Sequence, residues 1–533
     1  MAGARHQALT ICQMRRFQLS HTRFSITFPA LLFGTTNALN FDKLTRWFQL
    51  KDGVNYLALS AYLLAGLCLF IAFFSLLAHR RTIKPLAILL TMLSAAAAYF
   101  ISKYDVAVES SMVLNAIHTD ASEVGQLLSL QMVPYVVLLM VVPVVLILWL
   151  EITFDSPGKY LLASLRLVVM ALVIAAAALY ANFNAIHRAG NISNKYILYS
   201  LVPVNLISSS LNVLTKSLKP YLVSRPVDRE ITGRVAAQGN LVVVLAIGET
   251  SRRRNFSLYG YERRNTNPVL QEAAGLHLLN GVAKRGSTLD ALPEILEKDG
   301  IKLPTVVSRL GIATACYVNY TMYDNCGSVG ETKARDCGHG GKCYDEDVIP
   351  LLERNLRTYV SGYRFVVLHL GGGSHGPVYA DRHPPEFRRF EPMCIEADVV
   401  NRCTVDQLYN AYDNTILYAD HVLGRIIQGL DRSRVPYVFI YVSDHGESLL
   451  EEGRLFHGMP PGVPLPAEQA QVPLIIKSSI PVSIVERAEY FQPDVFDTVL
   501  NLFSIQTTMF GDNRGGFITR NPEPVPVAQA GRD

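Results

Sequence analysis

The chain is short of charge. Only 18% of its 533 residues are Asp, Glu, Lys or Arg, while 50% are hydrophobic. Soluble globular domains carry about 25% charged residues. This argues against a wholly soluble protein, and also against a disordered chain or a small disulfide scaffold. No dense basic run is present, and the net charge of +4 is spread along the chain, so a nucleic-acid partner is excluded. None of the eight cysteines forms a C-x-x-C pair, which disfavours a thiolate zinc cluster. No small-residue cleavage site follows the first apolar stretch, which disfavours a signal peptide.

What is present is an apolar excess at one end, within a mean hydropathy of +0.22. Five stretches, 24–40, 56–77, 86–101, 132–150 and 162–181, are read as helices crossing roughly 30 Å of hydrocarbon. The first, with Pro29 and three threonines, is the weakest. Arg15, Arg16 and Arg23 precede it, Arg80, Arg81 and Lys84 follow the second, and Lys159 and Arg166 follow the fourth. The loop after the third is acidic, with Asp105, Glu109, Asp120 and Glu123. Positive loops stay inside, so five crossings put everything after about residue 185 outside.

The expected organisation is a five-helix transmembrane bundle at 1–185, a bridge at 186–236, an outer domain at 237–512 and a flexible tail at 513–533 carrying Pro522, Pro524 and Pro526. Within the bridge, 196–218 reads either as helices lying on the membrane surface or as a plain linker. Cys12 and Cys68 fall in the membrane part, and the other six cysteines lie beyond residue 300. In an oxidising compartment these six read as disulfides. Neighbour pairing gives Cys316–Cys326, Cys337–Cys343 and Cys394–Cys403, one of 15 connectivities.

The outer domain alternates short apolar runs with helical segments. Residues 241–247, 365–370, 437–442 and 474–476 read as buried strands, and 408–430 as a helix. Continuous Val/Ile runs between helices predict an α/β domain, a mostly parallel sheet between helix layers. Ligands of such sheets bind beyond the carboxyl ends of the strands. Glu249, His369, His375, Asp444 and His445 lie at or just after predicted strand ends, and His457 follows twelve residues after His445. Oxygen and nitrogen donors without thiolate suit zinc, with manganese as second choice. A hydroxyl nucleophile activated by that metal is expected at a helix start between the first two strands. Ser287 and Thr288, in K-R-G-S-T-L-D-A-L-P, fit; a plain helix cap is the alternative.

Four strings together are specific: G-E-T-S-R-R-R-N-F-S-L-Y-G-Y-E-R-R-N-T-N-P from Gly248, S-H-G-P-V-Y from Ser374, Y-D-N-T-I-L-Y-A-D from Tyr412, and S-D-H-G-E-S-L-L-E-E-G-R-L-F-H-G from Ser443. With the apolar N-terminal part, they make the chain resemble the membrane-bound phosphoethanolamine transferases that modify lipid A, which include the mobile colistin-resistance enzymes. That family carries an alkaline-phosphatase-like domain in the periplasm, anchored in the bacterial inner membrane. The resemblance implies a zinc ion held by Glu249, Asp444, His445 and the nucleophile, Ser287 by alignment of Gly286 or Thr288 by residue type. It implies that His375 and His457 bind a second metal or the transferred phosphoryl group, and that Asn115 and Glu123, with His369, handle substrate.

The implied reaction has two steps. The hydroxyl takes phosphoethanolamine from phosphatidylethanolamine, and a lipid A or other lipopolysaccharide group then takes it from the enzyme, which is expected to act as a monomer. The departure is at the nucleophile, where the family's usual Cys-Gly-Thr is Arg285-Gly286-Ser287-Thr288. A glycerol-phosphate transferase, a phosphohydrolase using water, and an inactive membrane homologue are the alternatives. A sulfatase would need a C/S-x-P-x-R string, and none precedes the helix start.

Overall fold

The computed structural model describes residues 17–50, 53–104, 108–118, 130–192, 196–222, 231–319, 324–334, 343–371, 373, 376, 378–396, 398–459, 463–510 and 515–520. The chain divides into two compact units, one built mainly of residues before 215 and one mainly of residues from 215 on.

The first unit is helical. Among the described residues its helices of eight residues or more are α1 (His21–Ala38), α2 (Tyr56–Leu77), α3 (Ile83–Tyr104), α4 (Ser110–His118), α5 (Met132–Trp149), α6 (Pro157–Ala181), α7 (Phe183–Ile192) and α8 (Val204–Leu222). Four of them, α2, α3, α5 and α6, are long and apolar enough to cross a membrane. The expected first span, 24–40, falls in α1, which is not among these four. That segment is a helix, but Thr27, Thr35, Thr36 and Asn37 spend side-chain hydrogen bonds on its own backbone carbonyls. Its Phe24, Phe28, Leu32 and Phe33 pack inward with residues of α2 and α3. Apolar side chains of α5 and α6, among them Leu138, Val145, Leu146, Leu165, Met170 and Val173, remain exposed. A soluble surface would rarely leave so large an apolar area bare, and hydrocarbon covers it at no desolvation cost.

The second unit is built on one eight-stranded sheet. In chain order the strands are β1 (Leu241–Gly248), β2 (Leu276–Val282), β3 (Ala313–Val318), β4 (Thr332–Lys333), β5 (Tyr363–Leu370), β6 (Tyr437–Ser443), β7 (Gln471–Ser478) and β8 (Tyr490–Phe491). Their order across the sheet is β4-β3-β5-β1-β6-β7-β2-β8. All neighbours are parallel except that β7 runs antiparallel to both β6 and β2. The sheet is therefore mixed. The reversal has a local cause: after β6, the described residues of 444–470 include no helix longer than Ala467–Ala470. Without a crossover helix the chain re-enters from the edge it left.

Every residue of β1 and β6 is buried, as their unbroken apolar runs require. Three further helices bear on the site: α9 (Thr288–Leu296), α10 (Val405–Ser433) and α11 (Asp494–Leu502). Thr404 and Gln407 form a capping box that starts α10, which extends beyond the expected 408–430 at both ends.

Disulfides join Cys316 to Cys326 and Cys394 to Cys403. The third expected pair lies outside the described residues, because Cys337 does. Part of the expected tail is core: Ile518–Arg520 pairs antiparallel with Val482–Ile484, and Phe517 and Ile518 are buried. The rest of the expected tail, 521–533, is outside the described residues.

Candidate functional site

β1 and β6 are adjacent and in register, with Ser443 opposite Gly248. Their carboxyl ends therefore bring Glu249 and Asp444-His445 together from distant parts of the sequence. One ligand atom from each of Glu249, Asp444 and His445 lies within 4.8 Å of the others, and all three residues are buried. His445 Nε2 is 3.3 Å from Asp444 Oδ2 and 3.8 Å from Glu249 Oε1. Asp444 Oδ1 accepts hydrogen bonds from the N–H groups of Thr250 (2.9 Å) and His445 (2.7 Å).

α9 opens against this cluster. Thr288, its first residue, donates from Oγ1 to Glu249 Oε1 at 2.9 Å and lies 3.4 Å from His445 Nε2. Ser287 caps the same helix, but its hydroxyl turns away to Asp290 Oδ2 at 3.1 Å. The two hydroxyls that the sequence left equivalent are thus in different surroundings.

His457 stacks near His445, with ring centroids 4.4 Å apart, and its Nδ1 lies 3.1 Å from Glu447 Oε1. Glu447 is fully buried. Sequence reading passed over it, although its place two residues after His445 in S-D-H-G-E was a visible signal. His369 sits in β5 opposite Ile247, buried, with Nδ1 3.4 Å from Asn325 Nδ2; it is not one of the three clustered ligands. Asn115 lies on α4, and its side chain is outside the described set. Glu123 and His375 are outside the described residues.

Burial dominates the electrostatics. It pushes the Glu249 carboxyl up to about 7, helped by neighbouring Asp444, and pushes Asp444 itself up to about 7. Burial likewise drives His445 and His457 down to about 4, and Glu447 up to about 8. Burying two carboxylates beside two neutral imidazoles is costly unless a cation balances them. Glu249 Oε2 and Asp444 Oδ2 are buried with no hydrogen-bond partner among the described residues. Hard oxygen donors plus one imidazole fit a divalent ion such as zinc or manganese.

Close packing keeps the cluster in place. A Cβ on Gly373 would lie 2.3 Å from the Glu249 carbonyl oxygen. Buried Arg252 donates from one terminal NH to the Glu447 carbonyl (3.1 Å) and to Glu451 Oε1 (2.7 Å), joining the loops after β1 and β6.

A strand-end carboxylate–imidazole cluster facing a hydroxyl at a helix start defines the alkaline-phosphatase-like class, and a family model described as sulfatase matches residues 241–505. A second model, described as phosphoethanolamine transferase EptA/EptB, matches residues 66–218. The chain is 30% identical over 477 residues to phosphoethanolamine transferase EptA of Salmonella typhimurium, covering 80% of this chain and 84% of that protein. It is 27% identical over 518 residues to phosphatidylethanolamine transferase Mcr-1 of Escherichia coli, covering 90% and 92%. The structure of the integral membrane lipooligosaccharide phosphoethanolamine transferase A of Neisseria meningitidis superposes with a TM-score of 0.73 at 24% identity, covering 93% of this chain and 98% of that one; this likeness shows the fold. The chain belongs to the EptA family of phosphoethanolamine transferases.

Proposed function

We propose that the protein moves phosphoethanolamine from phosphatidylethanolamine to lipid A or another lipopolysaccharide group, with Thr288 as the residue that carries it. Family membership supports the reaction class, and the name of the Mcr-1 relative supports the donor. The observation that carries the residue assignment is the Thr288 hydroxyl, 2.9 Å from Glu249 Oε1 within the Glu249–Asp444–His445 cluster.

Glu249, Asp444 and His445, with the nucleophile, would hold zinc, or manganese in second place. When bound, the metal lowers the pKa of a hydroxyl and offsets charge on phosphoryl oxygens. Glu249 Oε1 accepts the Thr288 hydrogen bond and so aims Oγ1. In the first step Thr288 Oγ1 loses its proton and bonds to phosphorus. The phosphorus–oxygen bond to the glycerol breaks, and diacylglycerol leaves with a proton. In the second step an acceptor oxygen bonds to the same phosphorus, the bond to Thr288 breaks, and Oγ1 is reprotonated. His457, kept in orientation by Glu447, supplies imidazole to the phosphoryl oxygens, a role that His375 would share. Asn115, Glu123 and His369 contribute to lipid handling.

In this reading the protein sits in a bacterial inner membrane with its second unit in the periplasm, and acts as a monomer. Membrane anchoring holds both lipids near the site and raises their effective concentration.

The test is lipid A mass spectrometry on cells expressing the full chain. A phosphoethanolamine adduct that disappears in Thr288→Ala is expected. A glycerol-phosphate adduct, or no adduct from a zinc-loaded chain that retains its fold, overturns the reading.

A further inference from the structure

The turn after β1 carries a backbone conformation that its residue type resists. Thr250 has φ +58°, a left-handed geometry that β-branched residues rarely adopt. Its side chain is buried. From this one residue two hydrogen bonds reach two members of the cluster. The hydroxyl donates to Glu249 Oε1 at 2.7 Å, and the backbone N–H donates to Asp444 Oδ1 at 2.9 Å. Each carboxylate is gripped by one oxygen, and the other oxygen, Glu249 Oε2 or Asp444 Oδ2, has no hydrogen-bond partner among the described residues.

The turn is clamped from behind. Tyr412, on α10, donates its hydroxyl to the Thr250 carbonyl at 2.8 Å, and the Ser251 N–H donates to Ser443 Oγ at 2.8 Å. Strained backbone persists where its surroundings over-determine it. Glycine adopts this φ freely, so stability alone favours glycine. What threonine adds is the hydroxyl on Glu249.

We propose that Thr250 is a positioning residue, which fixes Glu249 and Asp444 so that one oxygen of each faces a shared divalent cation. This rests on reading Glu249, Asp444 and His445 as cation ligands. The strain at Thr250 is then tolerated because the same turn orients two ligands at once.

The experiment uses the full-length chain in detergent, stripped by chelator and titrated with zinc by calorimetry, alongside thermal melts of the metal-free form. Thr250→Val keeps the shape and removes the hydroxyl; it is expected to weaken zinc binding by about tenfold or more, as lost outer-shell hydrogen bonds do. Thr250→Ser restores the hydroxyl and is expected to bind close to wild type. Thr250→Gly is expected to bind zinc more weakly while melting higher than wild type, a combination that a merely structural threonine would not produce. If Thr250→Val does not fold, Thr250→Gly decides the matter by the same two readings. Unchanged zinc affinity in whichever of these folds overturns the proposal. Glu249→Gln separates the underlying reading: if it binds zinc as wild type does, the ligand set is wrong and the proposal falls with it. If Glu249→Gln loses zinc while Thr250→Val keeps it, only the positioning role is wrong.

Discussion

Thr288 Oγ1 lies 2.9 Å from Glu249 Oε1 although 39 residues separate them, whereas the hydroxyl of adjacent Ser287 is bonded to Asp290. The side chains of Ncap and first helical residues leave the axis in different directions. A one-residue difference in sequence therefore becomes a difference between facing the cluster and facing the helix's own first turn.

That difference is directly measurable. Thr288→Ala is expected to lower transfer of phosphoethanolamine by at least about a hundredfold, since in the proposed reaction Thr288 supplies the attacking oxygen. Ser287→Ala is expected to keep transfer within a few-fold. Turnover of a fluorescent phosphatidylethanolamine donor, with lipid A mass as the second readout, checks both. The opposite ranking would move the nucleophile to Ser287.

Metal affinity should depend on pH with a defined sign. With the cation absent, burial raises Glu249 and Asp444 to about 7, so both take up protons as pH falls through neutrality. A cation needs them ionised, so binding must expel those protons. Zinc affinity is expected to drop between pH 8 and pH 6. Calorimetry in two buffers of different ionisation enthalpy should show more protons released at pH 6 than at pH 8.

Gly373 should tolerate no side chain. A Cβ there would meet the Glu249 carbonyl oxygen at 2.3 Å and Glu249 Cβ at 2.7 Å, and neither can swing aside. Gly373→Ala is expected to displace Glu249, so that the purified chain carries less metal and transfers less, while the circular dichroism of the fold is retained. Full metal content by elemental analysis would refute this.

The Cys394–Cys403 bridge closes a short loop, with a sequence separation of 9, just before α10. Replacing both cysteines by serine is expected to cost about 2 to 3 kcal/mol through the freed unfolded chain. A melting temperature below that of the wild type under non-reducing conditions would show it. An unchanged melt would mean that α10 is held by its packing alone.

Much of the outer domain was legible because buried strands leave unbroken apolar runs: 241–247 and 437–442 are found almost residue for residue in β1 and β6. The three clustered ligands were legible for a related reason, since polar residues stacked directly after such runs must emerge at the sheet's carboxyl edge. The direction of β7 was not legible. Leu474–Ile476 looks the same in a parallel or an antiparallel strand, and the choice lies in what the preceding residues 444–470 do. The α1 segment is the weakest of the expected spans because its threonines and Asn37 dilute its aromatic and aliphatic content, and Asn37 bonds the Val202 backbone as well as its own helix.

The sequence by itself determined the composition of the membrane part, the apolar strands, and the kinds of donor atom available for a cation, because these depend on residue type and local period. Tertiary structure alone decided which hydroxyl meets Glu249, that Glu447 stands behind His457, and that Thr250 holds two carboxylates at once. Each of these is a distance between side chains set by how strands and a helix dock, and no local pattern encodes it.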